Sequence, residues 1–129
     1  MNSRERDRSL QELEGHDWGE TPFSSHLVRT CYALRRKPLR DFTIEDLRTM
    51  IGQNVGLDYL MPIAIEQLQR NPLAAGDFYP GDLLEKVLQV QADFWLTHPD
   101  LRRVVAHLVK GFKPFPDDLR KALQVFQQA

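Results

Sequence analysis

The side chains able to ligate a metal, attack a bond or move a proton are few in this sequence: four histidines, one cysteine and two pairs of neighbouring carboxylates. His16, His26, His98 and His107 have neither the i, i+4 spacing nor the cysteine company of a zinc site. His98 reads as a residue beside a helix cap, and His107 lies one position off an apolar ridge. Cys31 falls on the apolar side of a predicted helix, where a buried thiol is a simpler reading than a nucleophile. The serines cluster at helix starts, and no Gly-x-Ser-x-Gly elbow occurs. Glu45–Asp46 and Asp117–Asp118 stand in the first turns of predicted helices, where the helix dipole accounts for acids. Gly76-Asp-Phe-Tyr-Pro-Gly81 has the glycine spacing of a phosphate loop. Asp82-Leu83, however, stands where Lys-Ser or Lys-Thr is required, and Asp77 and Asp82 would repel phosphate. No catalytic residue, metal site or cofactor site follows from these residues.

The same Gly76–Leu84 stretch has a different chemistry to offer, as an acidic, aromatic, turn-forming knuckle. Large aromatics in a loop need a core slot or a partner. Core burial is the expected fate of Phe78. Tyr79, with its polar tip, is the better candidate for an exposed anchor. Asp77, Asp82 and Glu85 surround the pair. They belong to an acidic middle of the chain, because residues 49–100 carry Arg70 and Lys86 against seven acids, Asp58 among them, for a net charge of −5. Residues 1–48 balance to zero, and residues 101–129 carry +4. Such a block suits steering of a cationic partner. The expected contact residues are therefore Asp58, Asp77, Tyr79, Asp82 and Glu85, facing a basic protein such as a nuclease, whose own surface is built for phosphates.

The elements that must position these residues read as helices throughout. Ser3 to Glu14, ahead of Gly15, is a weakly amphipathic and frayed helix, and His16 to Phe23 reads as a loop; together they make residues 1–23 a loosely attached segment. Ser24 or Ser25 caps a helix with the stripe Leu27, Cys31, Leu34. Thr43, three residues before Asp46, forms an approximate capping box for a helix burying Ile44, Leu47 and Ile51. Gly52 and Gly56 bracket a turn, and a longer helix follows from near Asp58 to Asn71-Pro72, with Pro62 expected in its first turn. Pro80 suits the first position of the next helix, whose apolar spacing runs from Leu84 to Trp95. Thr97-His98-Pro99-Asp100 opens another helix, by a break or a kink, which Gly111 stops. Leu119, Ala122, Leu123 and Phe126 mark the last. No segment alternates long enough to argue for a strand. The fold class expected is all-α, a single domain over residues 1–129 forming one compact bundle of about six helices. One cysteine points to a reducing, cytoplasmic compartment, and neither a secretory signal nor a membrane-spanning run is visible.

Lys37-Pro-Leu, Asp41-Phe-Thr-Ile-Glu-Asp-Leu-Arg, Ile51-Gly-Gln-Asn-Val-Gly-Leu, Asn71-Pro-Leu and Gly76-Asp-Phe-Tyr-Pro-Gly-Asp-Leu-Leu together resemble the immunity proteins of bacterial contact-dependent growth inhibition systems. The resemblance covers about residues 35 to 95. It implies a non-enzymatic cytoplasmic inhibitor that binds the C-terminal toxin domain of its cognate effector, often a nuclease, with no cofactor, no direct nucleic acid and no membrane. The alternative reading is a small DNA-binding regulator, since the helices around Gly52–Gly56 have a helix-turn-helix outline and Arg35-Arg36-Lys37 could meet phosphate. The start of its second helix, Asp58-Tyr-Leu-Met-Pro-Ile, is poor in the polar and basic groups that recognition requires. A hydrolase built on paired carboxylates is a third reading, which nothing in the sequence selects.

Overall fold

A computed structural model of the protein describes residues 3–22 and 24–129. Residues 1, 2 and 23, part of the expected N-terminal segment and loop, lie outside that range. Nine α-helices run in order among the described residues: α1 (Ser3–Arg6), α2 (Leu10–Glu14), α3 (His26–Leu34), α4 (Ile44–Gly52), α5 (Leu57–Arg70), α6 (Asp82–Leu88), α7 (Ala92–Thr97), α8 (Pro99–Gly111) and α9 (Arg120–Gln128). Short 3-10 turns precede α4 and α9, at Leu39–Asp41 and Asp117–Leu119. No strand occurs among the described residues, only an isolated bridge between Ala75 and Pro80. The fold is all-α.

Helix starts follow local chemistry. The Ser25 hydroxyl accepts the Val28 N–H at 3.3 Å to open α3. At α4 the capping box is complete: the Thr43 hydroxyl accepts the Asp46 N–H and the Asp46 carboxylate accepts the Thr43 N–H, both at 3.1 Å. Each such bond satisfies a backbone donor that the first turn leaves without an intrahelical partner.

Helices α4, α5 and α6 form the centre: α4 packs on both α5 and α6, α6 on α9, and α5 on α8. Leu47, Met50 and Ile51 of α4 are buried together with Leu60, Met61, Ala64 and Leu68 of α5 and Leu83, Leu84, Val87 and Leu88 of α6. Each fully buried leucine or methionine contributes about 1.5–3 kcal/mol, so these three helices supply most of the cohesion. Because α5 buries Leu60, Met61, Ile63, Ala64, Ile65 and Leu68, it is enclosed on more than one side. A recognition helix presents polar and basic groups to bases and phosphates from its free face, and the exposed positions of α5 are Asp58, Glu66, Gln69 and Arg70, with the one base at the far end.

The expected boundaries change in several places. Ser3–Glu14 forms two helices, because the Ser9 hydroxyl accepts the Glu12 N–H and the Glu12 carboxylate accepts the Ser9 N–H, both at 3.2 Å, starting a new helix there. Pro62 is the sixth residue of α5, beyond the first turn where it was expected. Pro80 precedes the Gly81 cap of α6 instead of opening the helix, and pairs with Ala75. The apolar spacing from Leu84 to Trp95 spans two helices, since the chain breaks after Leu88 and turns Val90, Phe94 and Trp95 inward. Pro99 marks a full break, with His98 closing α7 and preceding α8.

Residues 3–22, read from sequence as loosely attached, touch the body at several points. Leu10 is completely buried. Leu39 donates its N–H to the Arg8 carbonyl at 3.0 Å, and Gln11 donates to the Arg35 carbonyl at 2.9 Å. Arg6 pairs with Glu66 at 2.5 Å. Gly56, with φ of 66°, is the seat for this contact: a Cβ there would come within 2.6 Å of the Leu10 side chain. Arg35 is 2% exposed, pairs with Glu14 and the His16 carbonyl, and lies 4.4 Å from the Trp18 ring. Lys37 pairs with Asp46 at 2.6 Å, and Arg36 donates to the Gly19 carbonyl at 2.5 Å. Arg35 thus ties the N-terminal segment to the body from within, while exposed Arg36 and half-buried Lys37 make their contacts at the surface.

Candidate functional site

The turn between α5 and α6 carries Gly76-Asp-Phe-Tyr, and two carboxylates shape it. Asp82, the first residue of α6 and 2% exposed, accepts the N–H of Gly76 at 2.7 Å, of Phe78 at 3.1 Å and of Tyr79 at 3.4 Å. Glu45 of α4 accepts the remaining one, the Asp77 N–H, at 2.9 Å. Four consecutive backbone amides therefore converge on two side chains, and the charge-assisted bonds fix the loop's path. Gly76 sits so close to α4 that a Cβ would run into the Glu45 carboxylate.

Arg48, one turn after Glu45, completes the arrangement. Its Nε and one Nη donate to the two Glu45 oxygens at 2.7 and 2.6 Å, a bidentate pair. The Arg48 hydrogen bonds outweigh burial and, aided by the Asp77 amide, hold the Glu45 carboxyl below its ordinary range. The same bonds raise the Arg48 value. The guanidinium then lies 4.3 Å from the centre of the Phe78 ring, within cation–π distance. Tyr79 stands on the other side, and its phenol is pushed up to about 12 by burial and by its hydrogen bond to Glu85. The phenol is neutral beside that carboxylate.

Phe78 is 67% exposed, although core burial was expected for it. The reason is the amide network: with its N–H fixed on Asp82, the backbone directs the side chain over Arg48, away from the interior. Tyr79, at 40% exposure, is accessible as expected. Leu27 of α3 is 42% exposed, although its spacing placed it with the buried Cys31 and Leu34. Two grooves flank Phe78. One, ≈ 420 Å³, runs past His26, Leu27, Thr30, Glu45 and Asp77. The other, ≈ 190 Å³, is bounded by Tyr79, Asp82, Glu85 and Lys86. Phe78 and Arg48 are walls of both.

The five expected contact residues divide three ways. Asp77 and Tyr79 lie on the exposed knuckle, and Glu85 lies half-buried beside it in α6. Asp82 lies beneath it, its carboxylate engaged with the loop's own amides. Asp58 stands apart in the first turn of α5, exposed, with one carboxylate oxygen 3.0 Å from His98 Nε2. Sequence reasoning missed Leu27, Glu45 and Arg48. The Glu45–Arg48 spacing marks a helix-surface pair, but nothing local to it indicates that the pair supports a loop 32 residues further on.

Among the described residues no group of three or more His, Cys, Asp or Glu side chains could hold a metal ion. Burial pushes the Cys31 thiol up, away from the reactive thiolate. No helix among the described residues is long and apolar enough to cross a membrane. What the fold presents is an exposed loop, its backbone held by two carboxylates, on a helical body. The family model for CDI immunity proteins, those of contact-dependent growth inhibition, matches residues 12–105. The chain belongs to this family. The match extends on both sides of the 35–95 stretch where the sequence motifs lie. No curated protein matches the chain.

Proposed function

We propose that this protein binds and neutralises the C-terminal toxin domain of its cognate contact-delivered effector, inside the cytoplasm of the cell that makes both. The toxin is a nuclease, and the protein acts as a stoichiometric inhibitor without chemistry of its own. The observation that supports this reading best is the knuckle, where exposed aromatic surface stands beside acids that form no close ion pair. Asp77 and Glu85 have no ion-pair partner within 4 Å among the described residues. A nuclease presents cationic groups arranged for phosphate, and these acids offer the complementary charge. In this arrangement Asp77, Tyr79 and Glu85 make contact, Asp82 supports them from below, and Asp58 adds to the acidic field.

Co-purification with the toxin domain encoded directly upstream, followed by growth rescue of cells expressing that domain, tests the function. A one-to-one complex and full rescue are expected, and a toxin that neither binds nor is silenced rejects the reading. Association should also slow several-fold between low salt and about 0.5 M salt, because exposed charges are screened beyond a few ångströms at that strength.

A further inference from the structure

The knuckle carries a more specific device than an acidic patch. Six large hydrophobic side chains are exposed among the described residues: Leu27, Leu73, Phe78, Tyr79, Leu96 and Val125. Three of them, Leu27, Phe78 and Tyr79, line the two grooves that share Phe78 and Arg48. Phe78 is thus a ridge with a depression on each side and an apolar residue across each depression. Its backbone is held by Asp82 and its ring rests on a guanidinium that is itself clamped by Glu45. An aromatic fixed in this way loses little conformational freedom on binding, which is the main cost of immobilising a surface side chain.

We propose that Phe78 is the anchor of the toxin interface, a wedge that enters an apolar slot rimmed by lysine or arginine on the partner, with Arg48 and Glu45 as positioning residues. This rests on the immunity reading above. The slot is apolar because the ring's inner face is already occupied by Arg48, which draws on the negative quadrupole that would otherwise favour a second cation on the outer face. The basic rim follows from charge complementarity with Asp77 and Glu85, one beside each groove. Those acids set encounter rate and orientation, and Phe78 sets residence time.

The probe is the upstream-encoded toxin domain, carrying an inactivating substitution, titrated calorimetrically against the full chain. Phe78→Ala should raise Kd about 100-fold, the size of an interfacial hot spot, and Phe78→Leu should raise it by roughly tenfold or less. Leu96→Ala, an equally exposed apolar truncation lining neither groove, should leave Kd within about twofold. Arg48→Met should weaken binding by roughly tenfold through a faster off-rate, with the on-rate scarcely moved. If the wild type binds and rescues growth while Phe78→Ala and Phe78→Leu bind as tightly as the wild type, the anchor is refuted and the immunity reading stands. If the wild type neither binds nor rescues, the immunity reading itself fails and the anchor with it. Sedimentation of the chain alone supplies the remaining arm: a dimer that Phe78→Ala dissolves would assign the ridge to a second copy and overturn the partner proposed here.

Discussion

In segment 41–57 the Asp46 carboxylate accepts the Thr43 N–H and the Lys37 ammonium, α4 starts there, and neighbouring Phe42 packs partly buried against the core. In segment 76–88 the Asp82 and Glu45 carboxylates accept four successive amides, α6 starts there, and Phe78 is left outside on Arg48. Both segments use a carboxylate on backbone N–H groups, and both contain an aromatic beside the helix start. They differ in how much backbone the carboxylate governs. A capping box satisfies donors at one helix end, and the chain on either side follows the core. A buried carboxylate holding three amides dictates the loop's path, and that path can display a side chain that hydrophobicity alone would bury.

Mutations can break this contrast, and Asp82 is the most sensitive point. Asp82→Ala leaves three amides without their acceptor beneath a structured loop, and should destabilise the protein by about 3 kcal/mol in urea unfolding. A cost no larger than that of an ordinary cap would remove the distinction between the segments. Next in size is Gly56→Ala, at about 2 kcal/mol, from the combination of positive φ and overlap with Leu10. The same variant should expose residues 3–22 to limited proteolysis, whereas unchanged protection would show that the Leu10 contact does not hold that segment. Thr43→Ala should cost about 1 kcal/mol and leave the knuckle and toxin affinity unaltered. Weakened binding in that variant would mean that the two segments are coupled.

The smallest effect is spectroscopic. Because the folded Tyr79 phenol is raised to about 12 from an ordinary value of 10.0, the folded state binds its proton more tightly than the unfolded chain. Its contribution is intact below pH 10 and is lost as pH rises towards 12. Ultraviolet titration should show a tyrosine ionising late, and Tyr79→Phe should abolish that late step. A profile unchanged by the substitution would place the Tyr79 hydroxyl away from Glu85.

Much of the helical order was readable in advance, because its signals lie between close neighbours. Ser25 capping α3, the Thr43–Asp46 box, the Gly52–Gly56 turn and the stop at Asn71 all appear where local rules place them. The misreadings arose where two patterns coincide. Leu84, Val87, Leu88 and Trp95 keep helical spacing across a break, so periodicity alone could not separate α6 from α7. Ser9 and Glu12 carry a full capping box inside the weak apolar spacing of residues 3–14, and spacing alone does not separate α1 from α2.

The knuckle was readable as a stretch but not as a device. That it is acidic, aromatic and turn-forming follows from composition over nine residues, as does its place in the family motif. Leu27 shares the spacing of buried Cys31 and Leu34, and Phe78 is more hydrophobic than Tyr79, so local preference put both inside. The exposure of Phe78 depends on α4 lying against the 76–79 loop, where Glu45 reaches an amide 32 positions away and Arg48 meets a ring. Short-range propensity and apolar spacing were enough to determine the all-α fold and its main helix starts, since those are energies between residues a turn apart. Which acid is buried, which cation serves as a prop and which aromatic faces solvent are energies between distant parts of the chain, and they took definite values only when α4 and α6 packed together.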